Sequence, residues 1–158
     1  MYIFQKTYRD LNVNEKELSV VLLLPSSTQP EMVRFSQIVD GAIREINKNR
    51  RNNLWSLRIL SHNTSDRSPS DNFSALYNAR LIIAECSEKK PNIFYMLGLA
   101  HAVGTPVCSC YRSIQGSSID IPFNVHGRQS LTYSLVKTRY QQELKDQLID
   151  WILKYEEN

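Results

Sequence analysis

Apolar and polar positions alternate in blocks along this chain, and the blocks switch between two periods. Val20-Val21-Leu22-Leu23-Leu24 is a continuous apolar run ending at Pro25. Such a run predicts a strand buried on both faces. Over residues 31–49 the period becomes helical, with Phe35, Ile38, Val39, Ala42, Ile43 and Ile46 on one stripe. Pro30 suits the first helical position, with Thr28 or Gln29 as the cap. A second strand is predicted over Leu54–Leu60, followed by a polar loop from Ser61 to Ser70 and a short helix from Asp71 to Asn78. Leu81–Ala84 predicts a third strand, Asn92–Val103 a helix and Pro106–Tyr111 a fourth strand. Thr132 and Tyr133 fall in a short fifth strand. The last helix is predicted from Thr138 to Tyr155, burying Leu144, Leu148, Trp151, Ile152 and Tyr155.

This succession predicts an α/β fold with a mostly parallel five-stranded sheet and helices on both faces. Right-handed crossovers favour flavodoxin-like, doubly wound topology, with strand order 2-1-3-4-5. Ligands bind such sheets at the carboxyl ends of the strands, beside the reversal of winding between strands 1 and 3. Residues 25–29 and 85–92 are therefore the segments to watch. Residues 1–18 read as an N-terminal arm or edge strand, and residues 19–158 as a single domain.

Composition narrows the function classes. The 158 residues are 42% hydrophobic and 22% charged, the make-up of a globular domain. Five glycines, with no GxxxxGK[ST] or GxGxxG pattern, leave no glycine-rich phosphate loop. The formal net charge of +3 lies wholly in residues 1–80, where Lys48, Arg50 and Arg51 cluster at a predicted helix end. Nucleic acid is not expected as a partner on that charge. Three cysteines, at 86, 108 and 110, lack CxxC spacing; Cys108 and Cys110 share one face of a strand and read as buried thiols, and a reducing, cytoplasmic setting fits. No apolar stretch is long enough to span a membrane. No metal-ligand spacing appears, and no cofactor is expected.

Two places carry candidate chemistry. Pro25-Ser26-Ser27-Thr28 opens a helix, and its hydroxyls serve either as caps or as contacts to a phosphate or carboxylate. The second place is the segment from Ala84 to Val107. It resembles the signature of nucleoside 2-deoxyribosyltransferase-like and TIR-like nucleotide-binding proteins. That signature is a hydrophobic strand ending in Ala-Asp, then Asn-Pro-Asn-Val-Phe-Tyr-Glu-Leu-Gly and a helix continuing to Gly-Lys-Pro. Pro91-Asn92-Ile93-Phe94-Tyr95, Leu97-Gly98-Leu99-Ala100-His101-Ala102, Gly104 and Pro106 match in register. Leu22–Pro25 resembles the first strand of the family, and Ile121-Pro122-Phe123-Asn124 its Pro-Phe-Asp/Asn segment.

The resemblance implies a nucleotide, nucleoside or NAD-like ligand, and the residues read as its candidate contacts are Pro25, Ser26, Ser27, Thr28, Asn92, Tyr95, Met96 and His101. It also implies a setting in signalling or anti-phage defence, with a second copy or a partner protein left open. Two departures bear on activity. The strand-end Asp is Glu85, and the glutamate expected after Tyr95 is Met96. Relatives with glycosidic chemistry use that glutamate to stabilise or capture the ribosyl cation, and a thioether cannot. Losing it costs roughly 100-fold or more in rate. The resemblance thus implies a binding or interaction module with lost or weakened N-glycosidase chemistry. The alternative is an active hydrolase or transferase with Glu85, or a partner-chain carboxylate, as catalytic group. Met96 reads as core packing or the floor of a base pocket, Tyr95 as a stacking or structural ring, and His101 as a packed histidine or a ligand contact. Gly98 is expected to permit close helix packing, and Gly104 to end its helix.

Overall fold

The computed structural model describes residues 18–61, 69–114, 119, 121 and 129–156. The elements are β1 (Ser19–Leu24), α1 (Pro30–Asn47), β2 (Ser56–Ser61), α2 (Pro69–Asn78), β3 (Leu81–Glu85), α3 (Pro91–Ala102), β4 (Val107–Arg112), β5 (Ser130–Tyr133) and α4 (Thr138–Leu153). The strands form one sheet in the order β2-β1-β3-β4-β5. All four pairings are parallel. The doubly wound flavodoxin-like reading is thereby borne out, and the fifth strand makes the sheet wholly parallel among the described residues.

Burial explains the apolar runs. Alternate residues of β1 serve opposite faces. Val20, Leu22 and Leu24 join Leu81, Ile83, Cys108 and Cys110 under α1 and α4. Val21 and Leu23 join Ile82, Ala84 and Tyr111 under α2 and α3. A strand feeding two cores has no solvent face, so its sequence shows no alternation.

Several details differ from expectation. Leu54 is 54% exposed and lies before β2. The entry to that edge strand is set instead by Asn47, whose amide donates to the Trp55 carbonyl at 2.8 Å and accepts from the Trp55 N–H at 2.9 Å. Helix α2 starts at Pro69, two residues before Asp71. Gln29, not Thr28, is the N-cap of α1, and it makes no side-chain cap bond. The hydroxyls of the preceding loop bond locally: Ser26 Oγ accepts from the Thr28 N–H at 3.2 Å. The basic cluster does end α1, since Arg50 Nε donates to the Ile46 carbonyl at 3.1 Å. Arg50 also pairs with Glu156, one guanidinium N–H lying 2.6 Å from Oε2. Residues 1–17 of the expected arm or edge strand, most of the polar loop after β2 (residues 62–68) and Pro122–Asn124 lie outside the described residues.

The two glycines of α3 and its end separate cleanly. Gly104 has φ +74° just after the helix, as a C-terminal glycine should. A Cβ built on Gly98 would meet nothing within 4 Å, so this glycine is not required for packing. Gly98→Ala is therefore expected to stabilise the fold by about 0.5–1 kcal/mol through helix propensity. Gly104→Ala should destabilise it by about 1 kcal/mol, because an L side chain is strained there. Paired urea melts of the two variants read both signs, and destabilisation by Gly98→Ala would contradict the packing geometry.

Candidate functional site

The strand ends bring together a buried polar network. Glu85, last in β3, is 0% exposed. Its backbone pairs with Cys110, and Arg112 pairs with Tyr133 on the next ladder. This register carries the Tyr133 side chain back across β4. Its Oη donates to Glu85 Oε1 at 2.9 Å. The Ser87 N–H donates to the same oxygen at 3.3 Å, and the Ser87 hydroxyl donates to it as well. Ser87 Oγ in turn accepts from the Arg112 N–H at 2.6 Å. The Tyr133 ring rests on Phe35 of α1, with centroids 4.8 Å apart.

One carboxylate oxygen is thus saturated and the other is bare. Glu85 Oε2 is buried with no hydrogen-bond partner among the described residues. Burial raises the carboxyl above its ordinary value of 4.5, opposed by the Ser87 and Tyr133 hydrogen bonds and the Arg112 charge. The Arg112 side chain is 23% exposed, and its Nη1 lies 3.7 Å from Oε1 of Glu31 in the first turn of α1. Its Nε is also buried without a partner among the described residues. An acceptor and a donor of opposite charge therefore both stand unmet at the strand ends, which is where such folds take ligands. Desolvation, and then the Glu85 charge, push the Cys86 thiol up to about 12, which disfavours the thiolate. Among the described residues, no group of three His, Cys, Asp or Glu side chains is arranged to hold a metal ion. No helix among them is long and apolar enough to cross a membrane.

The residues singled out in the sequence divide between two faces. Pro25 is buried, Ser26 half-buried, and Ser27 and Thr28 exposed on the loop leading into α1. Glu31, in the helix that follows that loop, pairs with Arg112, whose backbone N–H joins the Glu85 network. Helix α3 instead buries Ile93, Leu97 and Ala100 against the opposite face. Met96 is half-buried on that same core, Tyr95 is 61% exposed, Asn92 is exposed, and His101 is half-buried in the last turn. The carboxylate of Glu85 and the thioether of Met96 thus lie against different cores. Sequence reasoning missed Ser87, Arg112, Tyr133 and Glu31 as members of the site. A signal for one of them existed: Arg112 is a charged residue closing an otherwise buried strand. A recess beside the network, lined by Ser113, Thr132, Tyr133, Ser134, Tyr140 and Gln147, holds about 170 Å³. That is small beside the roughly 300–1,000 Å³ of ordinary ligand pockets.

Fold and site together define a doubly wound α/β protein with a strand-end carboxylate beside its topological switch. No family model matches the chain, and no curated protein matches it. Among solved structures it is similar to the CMP N-glycosidase BcmB of Clostridium botulinum, with a TM-score of 0.51 and 15% identity. That match covers 79% of this chain and 97% of the other. The likeness is one of fold.

Proposed function

We propose that this chain is a nucleoside- or nucleotide-binding module, with its ligand lying across the carboxyl ends of β1, β3 and β4. The observation that carries this reading is the unmet pair at those ends, Glu85 Oε2 and Arg112 Nε. Both atoms are covered in this structure; once the side chains over them move aside, a ribose hydroxyl can donate to the first and an anionic or carbonyl oxygen can accept from the second. The named activity of the structural neighbour on a nucleotide supports the same ligand class. The N-glycosidase step is lost or weakened in this reading. The family carboxylate is replaced by Met96, and Glu85 faces the other core. Resemblance to TIR-like proteins extends the reading to NAD-like ligands and to a cytoplasmic sensor or assembly subunit in defence. A second reading, active cleavage, rests on Glu85 itself. A carboxyl raised by burial and held through one oxygen has the form of a general acid.

Two assays test this. Thermal shift with CMP, cytidine and NAD should show stabilisation by at least one of them, about 2.7 kcal/mol at 100 times its Kd. Chromatography of the same mixtures should show no free base. A flat thermal response to all three removes the binding reading. Base release that disappears in Glu85→Gln replaces the inactive module with the second reading.

A further inference from the structure

Arg112 carries more unsatisfied capacity than a surface arginine. Its guanidinium is a planar fork with five N–H donors. One of them, Nε–H, is sealed from solvent without an acceptor among the described residues. Its ion-pair partner Glu31 stands at 3.7 Å, beyond hydrogen-bond reach, and is 51% exposed. A pair this long, with its carboxylate half in solvent, contributes little, and the three-quarters-buried cation is poorly compensated. Its other acidic neighbour, Glu85, is a carboxyl whose ionisation burial opposes. The opening turn of α1 adds to the positive field. Gln29 supplies no side-chain cap, and the first-turn N–H groups point out of the helix end.

From this geometry we infer that Arg112 is the specificity residue of the site: it takes the phosphate of a nucleoside monophosphate, with Glu31 as the carboxylate that the phosphate displaces. The inference rests on the nucleoside- or nucleotide-binding reading and narrows it to ligands bearing a phosphomonoester. Phosphate suits the fork, because two parallel N–H···O bonds can form where the Glu31 carboxylate is held off. A nucleoside without phosphate leaves the fork unmet and gains nothing from it.

Isothermal titration of CMP against cytidine, and of AMP against adenosine, reads this directly. Wild type should bind the better monophosphate at least tenfold more tightly than its nucleoside. In Arg112→Gln that ratio should fall to near unity. In Glu31→Gln, where the rival carboxylate is gone, it should rise severalfold. A ratio near unity in wild type, or one retained in Arg112→Gln, overturns the inference and leaves the binding reading standing. No binding of any of the four ligands, together with no thermal response to NAD, overturns both. Glu31 is half-exposed, so Glu31→Gln folds and decides the matter even if Arg112→Gln does not: an unchanged monophosphate affinity there overturns the inference.

Discussion

Replacing Phe35 with alanine is expected to cost about 3–5 kcal/mol of stability, the usual range for emptying a phenylalanine site in a core. For a chain of this size that lowers Tm by roughly 10 °C or more. Phe35 is 0% exposed and sits on the inner face of α1 beside Met32, Val39 and Ala42. Its ring also supports Tyr133, tilted 31° from it. The cavity would therefore open directly behind the phenol that holds Glu85. Destabilisation and loss of ligand binding should appear together. Phe35→Leu, which keeps more of the volume, should lose less of both. Denaturant melts and titrations of the two variants check the order. A loss below about 1 kcal/mol in Phe35→Ala would mean that α1 does not close this face as the structure shows.

Glu85→Gln is expected to stabilise the fold at neutral pH by roughly 1–3 kcal/mol, because a neutral amide replaces a charge that burial disfavours. The amide oxygen still accepts from Tyr133 and Ser87. The sign follows from linkage. With its folded pKa raised above 4.5, the folded chain keeps the Glu85 proton over a range where the unfolded chain has released it. The contribution of this group is then fully favourable below the unfolded value and is lost as pH rises through the folded value. Above that window the deficit is constant. The stability advantage of Glu85→Gln over wild type should therefore grow from about pH 4.5 upward and then level off. Urea melts across pH 4–8 measure it. A difference that instead shrinks with rising pH would place the carboxyl below its ordinary range and make Arg112 its dominant partner.

Much of the architecture was legible in local pattern. Val20–Leu24 and Leu81–Ala84 carry continuous apolar runs because both faces of those strands are buried, and the stripe from Phe35 to Ile46 has one face because α1 has one core. The edge of the sheet was less legible. In β2, Leu57 is half-buried, Ile59 is 38% exposed and only Leu60 is fully buried, so its start was placed two residues early. Of the two caps offered for α1, Thr28 and Gln29, the second is the one found; local chemistry misled at Gly98, where a missing side chain suggested a close approach.

The candidate site was legible only in part, and for a different reason. Glu85 stood out because it closes a buried strand within a specific motif. Tyr133 lies 48 positions further along the chain and reaches Glu85 only through the parallel register of β3, β4 and β5. Arg112 and Glu31 meet because α1 packs over the ends of those strands. Periodicity reports which face of an element is dry, since that is a property of neighbouring residues. It does not report which polar ends will meet across a sheet. Element types, the order of strands and helices, and the strand-end carboxylate thus followed from residue pattern. The division of Glu85 and Met96 between two cores, the bare Oε2 and the unpartnered Arg112 Nε arose only when the strands paired and their burial removed water as an alternative partner.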